Sequence, residues 1–167
     1  MNPLSKAFLF RRQGYVRNFH RNSRSLDVGS SRNPVSDRSI KLDLRKKSGV
    51  EIVSTVLDLP FVPGAFDCVT MLEVIEHVDY ELQRKAISEI YRVLKKGGTF
   101  IISTPSMFPS WKFVWFVWEN TIQKEYRHDH VGQLYPQETL DLLTGSGFKV
   151  EHFKRVMLFD FIVVCSK

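Results

Sequence analysis

The sequence has no long apolar run. None of its stretches approaches the ~18 consecutive apolar residues that a transmembrane helix needs. Near the N-terminus the apolar residues 8–10 are followed at once by Arg11 and Arg12, which argues against the hydrophobic region of a signal peptide. The two cysteines, Cys68 and Cys165, each lie within an apolar run and are predicted to be free, buried thiols. These absences favour a cytoplasmic protein.

Glycine and proline occur only 9 and 7 times, which excludes a collagen-like or low-complexity chain. Aromatic residues are plentiful by contrast, with 13 Phe, 5 Tyr and 3 Trp, which excludes a disordered chain. A chain of 167 residues with 43% hydrophobic residues is long enough to bury a core without metals or disulfides. The composition therefore predicts one globular domain.

Acidic residues are missing from the first 24 positions. The formal net charge of +6 is carried by the six basic residues of this stretch, so the rest of the chain is neutral: Lys6, Arg11, Arg12, Arg17, Arg21 and Arg24. We therefore expect a basic N-terminal arm or helix over residues 1–23 and a single domain over residues 24–167. The arm suits a phosphate-bearing partner or an anionic membrane surface.

A second interpretation of the arm is an amphipathic helix that packs on the domain through its apolar residues, which are Leu4, Phe8, Tyr15, Val16 and Phe19. Nucleic acid is not favoured as a partner, because aromatic and basic residues are not interleaved in a strand or helix.

Short runs of β-branched and aromatic residues, bounded by turn residues, predict seven strands: 24–28, 40–44, 51–57, 66–72, 99–104, 148–154 and 158–165. Apolar residues at helical spacing predict a helix over Glu81–Lys96, and Pro136 begins another that ends at Gly145 or Gly147. Strands separated by helices indicate a largely parallel α/β sheet covered on both faces. The last two strands are close enough to form a hairpin.

Ligands of such sheets bind beyond the carboxyl ends of the strands. Gly29 follows the first strand and permits close approach of a ligand to the backbone. Asp43 ends the second strand, where a carboxylate can accept both hydroxyls of a ribose. Asp58 follows the third strand and could accept from an adenine amino group, with Leu59 and Phe61 beside the ring.

Four segments in this order are similar to a known family: LDVGSSRNP, IKLDL, DLPFVPGAFDCVTMLEVIEHV and EIYRVLKKGGTFIISTP. Over about residues 24–105 the chain resembles the class I S-adenosylmethionine-dependent methyltransferases of the methyltransferase domain 11 type. The resemblance implies a Rossmann-like, mostly parallel seven-stranded sheet of order 3-2-1-4-5-7-6, with strand 7 antiparallel and helices on both faces. It also implies S-adenosylmethionine as cofactor and S-adenosylhomocysteine as product.

The resemblance further assigns the cofactor-binding residues. Asp27 and Gly29 would line the methionine moiety, Asp43 would hold the ribose, Asp58 with Leu59 would hold the adenine, and Glu73 would line the methionine end. Ser31 and Leu44 complete the predicted set. Ser31 and Asn33 stand where the family has further glycines, and only 16 residues separate Asp27 from Asp43. The helix between strands 1 and 2 is therefore expected to be short or absent.

Methyl transfer needs alignment of donor and acceptor more than a fixed catalytic motif. His128 and His130 lie in a region that lines the acceptor pocket in this family, and we predict them as the catalytic candidates. A structural hydrogen-bonding role is the alternative for both, and a metal site is not predicted because two imidazoles alone are a poor ligand set. His77 either anchors the following helix or transfers a proton.

Residues 107–122 carry all three tryptophans. This segment is interpreted as a core helix or as an apolar lid that contacts a membrane interface, an acceptor or a second subunit. The sequence therefore predicts an enzyme that methylates a small-molecule or lipid-like acceptor, with peripheral membrane contact and a homodimer as further hypotheses. The alternative is a non-catalytic protein of the same fold that serves as a partner subunit. A nicotinamide-dependent oxidoreductase is not favoured, because no G-x-G-x-x-G follows strand 1.

Overall fold

The computed structural model describes residues 10, 12–20, 24–29, 34–105, 131–132, 134–156 and 160–167. Seven strands form one sheet of order β3-β2-β1-β4-β5-β7-β6. Their bounds are β1 Ser25–Val28, β2 Ile40–Asp43, β3 Ile52–Val53, β4 Phe66–Leu72, β5 Leu94–Pro105, β6 Lys149–Val156 and β7 Asp160–Ser166. The pairings among β1 to β5 are parallel, and β7 runs antiparallel to both β5 and β6. The predicted strand order and the antiparallel last strand are confirmed.

Helices cover the sheet. Residues 12–17 form helix α1, Tyr80–Val93 form α2 and Pro136–Gly145 form α3, and a 3-10 turn at Ile75–His77 precedes α2. Helix α2 completely buries four apolar residues that recur at helical spacing along one face: Ala86, Ile87, Ile90 and Val93. Helix α3 begins at Pro136 as predicted, and the Glu138 carboxylate accepts a hydrogen bond from the Tyr135 N–H at its start. Among the described residues no helix is long and apolar enough to cross a membrane.

The boundary between α2 and β5 lies earlier than the predicted one. The helix was expected to continue to Lys96, but it ends at Val93 and the strand already begins at Leu94. Leu94 is fully buried and pairs with Phe66 of β4. Lys95 forms an ion pair of 2.6 Å with Asp67, which holds it beside the sheet. Burial of Leu94 thus outweighs the preference of the two lysines for a helix C-terminus.

The two faces of the sheet are covered by different parts of the chain. Helices α2 and α3 pack on one face, where Ile90 of α2 and Leu143 of α3 join the larger core. Helix α1 packs on the other face, where Val16 is fully buried in a second cluster with residues of β4, β5, β6 and β7. The predicted packing of Tyr15, Val16 and Phe19 on the domain is therefore observed. Leu4 and Phe8 lie outside the described residues.

The connection from β1 to β2 is short. None of its described residues, Gly29 and 34–39, is helical, as the short spacing predicted. Val35 of this connection is 2% exposed and joins the same cluster as Val16. Helix α1 and this connection therefore cover a face of the sheet that a crossover helix would otherwise occupy.

Candidate functional site

A cleft of about 510 Å³ lies at the carboxyl ends of β1, β2 and β4. Of the predicted site residues, the cleft brings together Gly29, Asp43, Leu44 and Glu73. Parallel strands bring their carboxyl ends to one edge of the sheet, which explains how residues 44 positions apart in sequence meet. This edge is where the sequence placed the ligand.

Gly29 permits a close approach at the end of β1. Its φ angle is +72°, a conformation that L side chains rarely adopt, and a Cβ at this position would overlap the Val74 side chain. Its N–H donates a 2.7 Å hydrogen bond to the Leu42 carbonyl oxygen. The segment after β1 therefore lies directly against the segment after β4, and only glycine fits there.

Asp27 lies behind the wall of the cleft and is not one of its described lining residues. It is 2% exposed, and its two carboxylate oxygens accept hydrogen bonds from the Thr70 hydroxyl at 2.7 Å and from the Val35 N–H at 2.9 Å. Burial raises the pKa of Asp27, and these hydrogen bonds act against the increase. In this structure Asp27 anchors the connection between β1 and β2. Contact with a methionine moiety stays a prediction.

Asp43 ends β2 at the rim of the cleft. One carboxylate oxygen accepts a 3.0 Å hydrogen bond from the Arg45 N–H, and the other forms a 3.2 Å ion pair with the Lys47 ammonium group. Leu44 beside it is 68% exposed. Arg45 and Lys47 also line the cleft and were not among the predicted site residues. The only signal for them was their position directly after the second strand.

Asp58 and Leu59 do not line the described cleft; residues 54–57 of the same segment do. The Leu59 side chain is 2% exposed and belongs to the core. Its carbonyl oxygen accepts from the Arg92 guanidinium at 2.9 Å, and its N–H donates to the Glu89 carboxylate at 2.9 Å. Asp58 is exposed. Their contacts with an adenine stay a prediction, and the geometry brings residues 54–57 closer to the ligand space.

Glu73 lies at the opposite end of the cleft, directly after β4. Its φ angle of +56° is left-handed, which is costly for a residue with a Cβ and marks a constrained position. One oxygen of its carboxylate accepts a 2.6 Å hydrogen bond from the Ser103 hydroxyl and lies 3.2 Å from the Arg12 guanidinium. Contacts from β5 and from α1 therefore fix the side chain that the sequence predicted in the cleft.

Two more carboxylates lie behind Glu73. Glu76 is 1% exposed and accepts a 3.2 Å hydrogen bond from the Thr104 hydroxyl. Asp160 at the start of β7 is 5% exposed, and the Arg12 guanidinium lies 4.0 Å from it. Burial, with repulsion from Glu73, raises the pKa of Glu76 well above its usual range and the pKa of Asp160 to about 8. Asp160 had no signal in the sequence, because β7 is distant from β4 along the chain.

The remaining predicted residues divide into two groups. His77 is exposed and lines the cleft. Ser31, the catalytic candidates His128 and His130, and the segment 107–122 lie outside the described residues, so their roles stay predictions. Within the described part of the chain, no three His, Cys, Asp or Glu side chains are arranged as metal ligands.

The sheet order and the cleft can now be set beside known proteins. Residues 24–102 match the model of a family described as the methyltransferase domain. These residues contain β1 to β4, α2 and most of β5, and so they include the elements that build the cleft. This match, the curated relatives and the sheet order support a class I S-adenosylmethionine-dependent methyltransferase domain over residues 24–102. The cofactor of this family is S-adenosylmethionine, as the sequence predicted.

Curated relatives agree with this assignment. A protein of Mycolicibacterium smegmatis, named a probable S-adenosylmethionine-dependent methyltransferase, is 32% identical over 94 residues, which cover 56% of this chain and 33% of the relative. A protein of Encephalitozoon cuniculi, whose name places it among the methyltransferases, is 35% identical over 126 residues, covering 65% of this chain and 57% of the relative. The chain thus spans between a third and somewhat over half of the length of these relatives.

Solved methyltransferase structures share the fold. A 1,6-didemethyltoxoflavin-N1-methyltransferase of Burkholderia thailandensis, solved with S-adenosylhomocysteine, superimposes with a TM-score of 0.75 at 15% identity and covers 95% of this chain and 78% of its own. An S-adenosylmethionine-dependent methyltransferase of Thermotoga maritima gives a TM-score of 0.71 at 20% identity and covers 98% of this chain and 95% of its own. At these identities the likeness shows the methyltransferase fold alone.

Proposed function

We propose that this methyltransferase binds S-adenosylmethionine in the cleft at the ends of β1, β2 and β4 and transfers its methyl group to a small-molecule or lipid-like acceptor. The observation that carries the proposal is that Gly29, Asp43 and Glu73 line one cleft of about 510 Å³. S-adenosylmethionine supplies an activated methyl group on its sulfonium. The bond from sulfur to methyl breaks as the bond from the acceptor atom forms, and the acceptor loses a proton to a base.

The residues of the cleft fit this cofactor. Gly29 lines the cleft at the end of β1, where its positive φ and its contact with Val74 leave backbone facing the space for the methionine moiety. A carboxylate offers about four lone-pair sites, and the Asp43 carboxylate has two described donors, so it can also accept hydroxyls of a ribose. Glu73 places negative charge at the far end, where the family resemblance puts the methionine moiety.

A small-molecule or lipid-like acceptor is supported by the described residues on either side of the stretch 106–130. β5 ends at Pro105, which pairs with Asp160. The next described residues are 131–132, and their N–H groups donate hydrogen bonds of 3.0 and 2.9 Å to the Glu76 carbonyl oxygen. The tryptophans of 107–122 and the bases proposed for the acceptor proton, His128 and His130, belong to the intervening stretch. Pro105 and residues 131–132, the described residues on either side of this stretch, contact Asp160 and Glu76, and a tryptophan-rich sequence between them suits an apolar acceptor.

The test is calorimetric titration of the protein with S-adenosylmethionine and S-adenosylhomocysteine, with NAD as the control ligand. We expect binding of both sulfur ligands and a loss of about tenfold or more in Asp43→Ala, because a hydrogen bond to a charged group contributes about 1.5–3 kcal/mol. The matched control is Asp37→Ala, which removes an exposed carboxylate in the turn before β2, at the opposite end of the strand. Equal losses in both variants would remove Asp43 from the proposal.

A non-catalytic partner subunit is the second candidate. It is favoured by Asp27, which is 2% exposed, is not among the described lining residues of the cleft and accepts its hydrogen bonds from Thr70 and Val35 within the protein. Absence of binding for all three ligands would support this candidate over the enzyme. The search would then turn to a protein partner.

A further inference from the structure

Helix α1 belongs structurally to the domain. Val16 is fully buried against the sheet, and Tyr15 and Phe19 pack beside it. The two rings are in edge contact at 5.1 Å, and the Lys154 ammonium of β6 lies 4.3 Å from the Tyr15 ring. These contacts fix α1 on the sheet, so a side chain at its first described turn has a defined position.

That side chain is Arg12, which extends toward the acidic end of the cleft. Its guanidinium lies 3.2 Å from Glu73 and 4.0 Å from Asp160, and the side chain is 12% exposed. Ser103 donates a hydrogen bond to the same Glu73 oxygen that Arg12 contacts. A hydrogen bond from β5 and a charge from α1 therefore fix the carboxylate.

Arg12 lies beside a group of three acidic side chains. Three carboxylates face one another here, Glu73 after β4, Glu76 in the 3-10 turn and Asp160 of β7, and Arg12 is the described cation within ion-pair distance of two of them. Burial, with repulsion from Glu73, raises the pKa of Asp160 to about 8, while the Arg12 charge acts in the opposite direction. Loss of Arg12 would therefore raise the pKa of Asp160 further.

We propose that Arg12 is a positioning residue of the cofactor cleft: it holds the Glu73 carboxylate in place, and through Glu73 it gives the cleft its preference for a cationic ligand. The inference rests on the proposed function, because it takes the cleft to bind S-adenosylmethionine. Methionine-linked sulfur is positively charged in S-adenosylmethionine and neutral in S-adenosylhomocysteine. The two ligands therefore differ in the charge that a fixed carboxylate would attract.

The experiment measures the dissociation constants of both ligands between pH 6 and 9 for the wild type, Arg12→Gln and Arg12→Lys. We expect Arg12→Gln to lower the preference for S-adenosylmethionine over S-adenosylhomocysteine about tenfold at pH 7. We expect Arg12→Lys to recover much of it, and the pH dependence of the preference to move to higher pH in Arg12→Gln, because Arg12 opposes the increase in the pKa of Asp160. A merely structural role for Arg12 would weaken both ligands alike.

Two further variants keep the result interpretable. Arg38→Gln removes an exposed positive charge before β2, at the opposite edge of the sheet, and should leave the preference unchanged. Glu73→Gln should reproduce the loss with Arg12 intact, and the double variant should be no worse than Glu73→Gln alone. If Arg12→Gln fails to fold, Arg12→Lys and Glu73→Gln test the proposal.

The outcomes separate the two claims. Binding of both ligands by the wild type with an unchanged preference and pH profile in Arg12→Gln would overturn the role of Arg12 and leave the proposed function standing. Equal weakening of both ligands, without recovery in Arg12→Lys, would also overturn it. A wild type that binds neither ligand would overturn the proposed function and this inference with it.

Discussion

The two ends of the cleft hold their carboxylates in opposite ways. At the β2 end, Asp43 is held by Arg45 and Lys47, its neighbours two and four positions along the chain. At the β4 end, Glu73 is held by Arg12 of α1 and Ser103 of β5, which lie far from it in sequence. The first end is a local turn at the surface, whereas the second is a product of the assembled sheet.

The two ends also differ in how many acidic side chains lie together. The Lys47 side chain is 39% exposed, so water competes with its charge for Asp43. Asp160 and Glu76 are withdrawn from water, and burial raises the pKa of both carboxyls. Changes at the β4 end should therefore alter stability and pH dependence far more than changes at the β2 end.

The largest effect is expected at the backbone support of the acidic end. A Cβ on Gly132 would overlap the Val78 carbonyl oxygen and the Gln83 amide, which hold the turn carrying Glu76. We expect Gly132→Ala to lower the free energy of unfolding by about 2–3 kcal/mol, since the backbone must move. Urea unfolding of the variant and the wild type measures this change in the free energy of unfolding.

The control for this substitution is Gly14→Ala in α1, where a Cβ meets nothing within 4 Å. There alanine should stabilise the protein by about 0.5–1 kcal/mol because it favours the helix. Equal stability of Gly132→Ala and the wild type would show that the turn is not packed as described.

An intermediate effect is expected for Asp160→Asn. The pKa of Asp160 is about 8 in the folded protein against 3.8 for the ordinary carboxyl. The folded state therefore binds the proton more tightly, and the stability that Asp160 contributes falls as the pH rises from about 4 to 8. Asparagine does not titrate, so the free energy of unfolding of the variant should rise relative to that of the wild type across this range. At pH 8 it should be higher than the wild-type value by about 1 kcal/mol or more.

Chemical unfolding at pH 5, 6.5 and 8 measures this difference. A constant difference between the two proteins at all three pH values would contradict the elevated pKa of Asp160.

The smallest effect is expected for Lys47→Ala. The Lys47 side chain is 39% exposed, and ion pairs with exposed lysines contribute about 0.2–1 kcal/mol. We expect a loss of stability below about 0.5 kcal/mol that disappears in 1 M salt, measured by thermal unfolding at low and high salt. A loss above 1 kcal/mol would show that the two ends are held alike.

The same division between local and distant contacts decides what the sequence could predict about the fold. The strands β4 and β2, the hairpin of β6 and β7, and helix α3 were located from turn residues and local periodicity. The beginning of β5 was missed because the pairing of Leu94 with Phe66 overrides two lysines and two glycines that are typical of a helix end.

For the site, the sequence placed Gly29, Asp43, Leu44 and Glu73 at one edge because strand ends can be located from local signals. It could not place Arg12 and Asp160 beside Glu73, since these contacts join three distant segments. Nor could it show that Leu59 is buried in the core, because Arg92 and Glu89 of α2 determine how its backbone lies.

The cluster beneath α1 has a consequence for the order in which the protein can be completed during synthesis. Its buried residues extend from Val16 through Val35 and Ile101 to Val164, and β7 inserts between β5 and β6. Helix α1 leaves the ribosome before all seven strands, yet its apolar side has no complete surface to cover until β7 has emerged. A nascent chain halted before β7 would therefore expose Val16 to chaperones, and docking of α1 would be among the last steps of its folding.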